Sequence, residues 1–222
     1  MKCLNQYCDA EDIEKDDNFC YKCGHWTSKG FSFIKKEENV IQIMKGDAAK
    51  KDNNFFVNKI GFHNKIYKLT EILGIIPIII VLIYAIIGLH SLIEEKSFKK
   101  VNKNLYYLAI FYIIVLGIYF LFEKVIINFR PVVIEGILES SYPSSHTILA
   151  ICICGSSIIL NNSIFKNNKI AKFENIISFI IIIMLPLLRF ISGVHWFTDI
   201  IGGILLSLSL LLFFKYFVDC KK

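Results

Sequence analysis

Arg189-Phe-Ile-Ser-Gly-Val-His195-Trp-Phe-Thr-Asp199 lies between two long apolar runs, and its polar residues do not belong in lipid. Ionisable side chains at a membrane boundary are costly and mark functional sites. His195 and Asp199 are four residues apart, so on a helix they would share a face. The carboxylate would then fix the imidazole tautomer and leave the other ring nitrogen free to attack. Arg189 adds a planar, permanently charged fork suited to phosphate oxygens. Together these residues point to a nucleophilic histidine beside a phosphate clamp at a membrane surface.

Outward from this stretch the chain is mostly apolar. It has 222 residues, 55% hydrophobic, with mean hydropathy +0.53, which excludes an ordinary soluble domain. Apolar runs predict spans at about 72–90, 104–122, 145–161, 175–191 and 197–217, each near the ~20 residues that cross a bilayer. The predicted fold class is therefore all-α, a polytopic membrane bundle of about five spans. Pro77 and Pro186 fall within spans and are expected to kink them. Gly202, Gly203 and Ser207 would let the last span pack closely on a neighbour. Three divisions are expected: a Cys-bearing head at 1–30, a linker with an interfacial amphipathic segment at 31–70, and the membrane domain at 71–219. The first thirty residues are polar, so no signal peptide is expected.

Two further clusters precede the opening stretch. Arg130-Pro131 follows the second span, and Tyr142-Pro143-Ser144-Ser145-His146-Thr147 opens the third. Pro143 suits a first helical turn and Ser144 a cap, and the free N–H groups there would bind an anion. His146 could protonate a leaving oxygen. Glu135 and Glu139, between the two clusters, read as solvated.

In these clusters the chain resembles the type 2 phosphatidic acid phosphatase and vanadium haloperoxidase superfamily. Its pattern is Lys, six residues, Arg-Pro; then Pro-Ser-Gly-His; then Ser-Arg, five residues, His, three residues, Asp. Arg189, His195 and Asp199 match the third part, with Leu188 in place of Ser. Pro143, Ser144 and His146 match the second, with Ser145 in place of Gly. Arg130-Pro131 matches the first, but Glu123 stands at the lysine position and Lys124 is one residue late. The resemblance covers roughly residues 70–218 and implies a metal-independent phosphatase acting on a membrane lipid phosphate or diphosphate, through a phosphohistidine on His195. It implies Asp199 as the residue that holds His195 and His146 as acid and base. Arg130, Arg189, Ser144 and the Ser145 N–H would hold the phosphate. The departures motivate an alternative, a catalytically weak membrane sensor or scaffold; haloperoxidase chemistry in the same pocket is a third reading.

Cys3, Cys8, Cys20 and Cys23 form C-x4-C-x11-C-x2-C, which resembles a short zinc ribbon. Four thiolates around a structural zinc would fold a segment too short for its own core; a disulfide pair or unbonded thiols are the alternatives. Cys152 and Cys154 read as apolar packing. The net charge of +6 suits anionic lipid, and no recognition motif points to nucleic acid. The composition suggests a bacterial cell membrane. Lys96, Lys99, Lys100 and Lys103, then Lys166, Lys169 and Lys172, then Lys221 and Lys222 place the loops opposite the motifs in the cytoplasm, and the motifs outside.

Overall fold

The computed structural model describes residues 59–97, 100–132, 134, 139–165 and 168–219. The head cysteines Cys3, Cys8, Cys20 and Cys23, most of the 31–70 segment and Glu135 lie outside them. Among the described residues the fold is all-α: α1 (Asn64–Leu73), α2 (Ile75–Glu95), α3 (Lys103–Lys124), α4 (Ser145–Ile164), α5 (Lys169–Ile191) and α6 (Phe197–Asp219). Five stretches are long and apolar enough to cross a membrane, with α1 and α2 counted as one of 32 residues.

The helical stretch that carries the first span starts at Asn64, ahead of the apolar run that begins at about 72. Lys65 and Lys68 point outward while Thr70 is fully buried, so one face of α1 is free and the other packs on α5. Pro77 lies within that stretch, as expected, in the first turn of α2 just after the break at Gly74, where its missing N–H breaks no helical bond. Pro186 is interior to α5, as expected.

α4 is the centre of the bundle. It is the least apolar of the five spans, yet 67% of its apolar stretch is buried, against 17–28% for the others. The cause is its small residues, among them Ala150, Cys152, Cys154, Gly155, Ser156 and Ser157, which let neighbouring backbones approach. Cys152 and Cys154 are buried free thiols within this packing. Around α4 the other helices turn large apolar side chains outward, Ile86, Ile113, Phe173 and Leu212 among them, as a lipid-facing surface requires.

Two features of this packing aim the site. In α5 the buried residues Ser178, Ile181, Leu185 and Arg189 recur at three- and four-residue steps, so one helical face continues inward to the arginine. In α6, Gly203 lies against α4, where an added Cβ would sit 3.1 Å from Thr147. A Cβ at Gly202 would strike the Tyr142 ring at 2.4 Å. The small-residue contact expected of the last span is present, and it seats the loop before α4.

Candidate active site

The site forms where the 125–144 loop folds over the turn between α5 and α6. The loop closes on itself through Ser141 N–H to Asn128 O (3.0 Å), Arg130 N–H to Glu139 O (3.1 Å) and a bridge between Phe129 and Ser140. The Trp196 indole N–H donates to Phe129 O at 2.7 Å and pins the loop to the turn. Trp196 is therefore a brace between segments. On the opposite flank, His63 N–H donates to Ser192 O (3.0 Å). Gly193, at φ 71°, packs against Gly61, where a Cβ would meet the Gly61 O at 1.9 Å.

Asp199 is fully buried and is the hub of the polar contacts. Its Oδ1 accepts from Asn128 Nδ2 at 2.9 Å, and its Oδ2 accepts from the Trp196 N–H at 3.0 Å and from the Ser141 hydroxyl. His195 Nδ1 is 3.7 Å from Asp199 Oδ2 but 3.2 Å from Ser141 Oγ. Because the Ser141 hydrogen goes to Asp199, its oxygen must accept from Nδ1–H. The imidazole thus carries its proton on Nδ1, with Ser141 relaying the contact to the carboxylate.

The pair does not share a helical face, as the four-residue spacing suggested. His195 precedes the helix, and Asp199, in the first turn of α6, reaches back over the turn. Burial pushes the His195 pKa down to about 4, with the charges of Arg130 and Arg189 adding to the effect and Asp199 opposing it. His195 Nε2 is buried and has no hydrogen-bond partner among the described residues.

A cavity of about 310 Å³ opens beside it, lined by Arg130, Ser141, Ser145 and His195, with Glu123 and Glu139 also on its wall. Arg130 Nη2 pairs with Glu139 at 2.7 Å, while its Nε and Nη1 are buried without partners among the described residues. Glu139 is therefore an ion-pair partner, not the freely solvated carboxylate its sequence surroundings suggested. Lys124, at the end of α3, is exposed and absent from the cavity wall, where Glu123 sits instead.

Arg189, His146 and Ser144 are not on that wall. Arg189 is fully buried; its Nη2 pairs with Glu71 of α1 at 2.7 Å and contacts His146 Nδ1. Its guanidinium lies 5.3 Å from the Tyr67 ring centre, and its Nε and Nη1 also lack partners among the described residues. His146 Nε2 faces Glu71 Oε2 at 3.6 Å. Ser144 stands at the N-cap position of α4 but its side chain makes no capping bond: its N–H donates to Asp199 O (3.2 Å) and its hydroxyl accepts from Thr147 (3.1 Å). It ties α4 to Asp199 rather than facing the cavity, and Pro143 precedes the cap instead of entering the first turn. Asn128, Ser141, Glu71 and Glu139 were not singled out as site residues by sequence pattern; the serine pair just before Tyr142-Pro143 is the only local hint.

Residues 105–221 match the PAP2 superfamily. The chain belongs to that superfamily. No curated protein matches it significantly. Among solved structures it is similar to the first transmembrane PAP2-type phosphatidylglycerolphosphate phosphatase from Bacillus subtilis, with TM-score 0.57 and 21% identity over 88% of this chain and 98% of that one. At that identity the likeness is one of fold. It places this PAP2 protein among integral membrane bundles. Membership carries the coarse activity with it, phosphatase chemistry at a membrane.

Proposed function

We propose that this PAP2 protein hydrolyses a lipid phosphate or diphosphate through a phosphohistidine on His195. His195 Nε2 attacks phosphorus in line as the bond to the leaving oxygen breaks, and His146 gives that oxygen a proton. Water then attacks phosphorus, His146 takes its proton, and the phosphorus–nitrogen bond breaks to release phosphate. Asp199, through Ser141, holds the imidazole in the tautomer that leaves Nε2 nucleophilic. Arg130 and Arg189, with Ser145 at the cavity wall, hold the phosphate oxygens and the equatorial charge of the transition state.

One observation supports this reading above the others. Of the seven buried side-chain atoms without a partner among the described residues, five belong to the site's cations and nucleophile: His195 Nε2 and the Nε and Nη1 of both Arg130 and Arg189; the other two are Tyr112 OH and Asn128 Oδ1. Buried polar groups are ordinarily paired; an unpartnered nucleophile sharing a cavity wall with Arg130, with the buried donors of Arg189 behind that wall, suits an anion that becomes more charged as it reacts.

The chemistry calls on no metal. Purified full-length protein should release phosphate from at least one member of a panel of lipid phosphates and diphosphates, keep that activity in chelator, and lose it to vanadate, a mimic of the five-coordinate state. Loss on chelation with restoration by Mg²⁺ would overturn the mechanism. A second reading, a weak sensor or scaffold, is favoured by Glu123 on the wall where the superfamily pattern has lysine; silence of the wild type across the panel would select it. For the head, the spacing of Cys3, Cys8, Cys20 and Cys23 supports a structural zinc, which the metal content of the purified chain tests.

A further inference from the structure

Glu71 stands outside every motif, on α1, yet it touches both groups assigned to the phosphate and its leaving oxygen. Its Oε1 is 2.7 Å from Arg189 Nη2, and its Oε2 is 3.6 Å from His146 Nε2. Arg189 Nη2 also contacts His146 Nδ1. An η nitrogen has two hydrogens, so both are committed. Nδ1 must accept from the guanidinium, so in this resting contact His146 is neutral with its ring proton on Nε2, facing Glu71; it must gain a second proton, at Nδ1, before it can act as the acid of the mechanism above.

A guanidinium binds phosphate with two parallel N–H bonds only through a neighbouring pair, Nε with Nη2 or Nη1 with Nη2. Both pairs contain Nη2, the nitrogen that Glu71 and His146 occupy. The two nitrogens of Arg189 without a partner among the described residues, Nε and Nη1, do not share an edge. Arg189 therefore becomes a bidentate clamp only when one of these contacts is released. His146 is packed against Gly74, where a Cβ would come within 2.9 Å of its ring, whereas the Glu71 side chain is 43% exposed. Glu71 is the partner free to leave.

We propose that Glu71 is a substrate-displaced counterion that restricts the site to doubly charged phosphates. The proposal rests on the reading of Arg189 and His146 given above. A phosphomonoester or terminal diphosphate brings about two negative charges near neutral pH and outcompetes a single carboxylate. A phosphodiester, the ordinary headgroup of bilayer lipid, brings one charge and gains nothing in the exchange. Glu71 would thereby keep abundant diester lipids off Arg189 while admitting the rarer monoesters.

The test is competition in mixed detergent micelles, with a hydrolysed lipid phosphate as substrate and phosphatidylglycerol, a monoanionic diester, as competitor. Glu71→Gln should lower the inhibition constant of phosphatidylglycerol by at least about fivefold relative to the KM of the substrate. Glu71→Asp, which keeps the charge but shortens the reach, should shift it the same way by less, and it covers the case in which the neutral variant does not fold. Unchanged diester inhibition in a folded variant, or a fall in kcat with KM and inhibition unmoved, would make Glu71 a positioning residue for His146 and overturn the proposal. Those outcomes leave wild-type phosphate release intact. Absence of release and of vanadate binding in the wild type would instead remove the functional reading and this inference with it.

Discussion

At the scale of single residues, the His195–Ser141–Asp199 relay sets an order of losses. His195→Ala should abolish turnover in a protein that remains folded, because the attacking atom is gone. Asp199→Asn should leave a weaker enzyme, and Ser141→Ala should lower kcat by about 10–100-fold, since the 3.7 Å gap to Asp199 would be left unbridged. Steady-state kinetics of the three variants check the ranking; turnover within a few fold of wild type for His195→Ala would remove it as nucleophile. The buried imidazole also fixes a pH dependence. A histidine attacks only when neutral, so activity falls as pH drops through its pKa. With that pKa pushed down to about 4, the enzyme-derived acid limb of kcat/KM should lie well below the ordinary histidine value near 6.5. The substrate's own ionisation must be titrated separately; an enzyme limb near 6.5 would mean that His195 is solvated in the working state. Arg189, His195 and Asp199 stand out in the sequence because three chemically loaded residues sit close together in an apolar setting, and the structure finds all three buried. Their partners do not stand out, because Ser141 reaches His195 from 54 positions away, Asn128 reaches Asp199 from 71, and Glu71 reaches Arg189 from 118. No local pattern encodes such pairs.

Among the elements, the last turn of α3 decides which charge meets the cavity. Successive helical residues are rotated by ~100°, so Glu123 and Lys124 cannot face the same way, and it is Glu123 that lines the wall. Arg130→Ala should therefore lower kcat/KM by about 10²–10³-fold, the cost of removing a donor from a charge-stabilising site, while exposed Lys124→Ala should cost less than about fivefold. Equal, large losses in the two variants would show that α3 turns by a residue when substrate binds. The five spans themselves were readable from apolar run length, which bilayer thickness sets. The start of the first span was less so: α1 mixes lysines with apolar residues, a pattern equally suited to a helix lying on the bilayer. What extends it is tertiary, the packing of Tyr67, Thr70 and Glu71 against α5 and Arg189. The central place of α4 was hidden for a related reason, since hydropathy ranks it last among the spans while its small residues make it the most enclosed.

For the whole molecule the open quantity is which way the bundle sits in the membrane. Five spans in succession put the turns at 96–102 and 165–168 and the end of α6 on one face. The 125–144 loop, the 192–196 turn and the start of α1 share the other. The contacts of His63 with Ser192 and of Glu71 with Arg189 fix α1 on the site face, so Lys59, Lys65 and Lys68 count there together with Lys124, Arg130 and Arg189. Against these six the sequence order of the spans sets nine lysines on the other side: Lys96, Lys99, Lys100, Lys103, Lys166, Lys169, Lys172, Lys221 and Lys222. The margin is narrower than the loops alone suggested, but its sign is unchanged, and Lys/Arg excess marks the cytoplasmic side. His195 and His146 should therefore face outward, where a phosphatase could act on lipid phosphates exposed after use outside the cell. The chain before α1 would emerge on that face too, and there thiols oxidise unless a metal holds them. Labelling with a membrane-impermeant maleimide in intact cells measures this directly. In a background without native cysteines that still releases phosphate, a probe at exposed Val125 should react and one at exposed Lys100 should not, until the cells are opened. Reaction at position 100 but not at 125 would invert the bundle, place the candidate pocket in the cytoplasm, and put the head cysteines in the reducing compartment that suits a zinc ribbon.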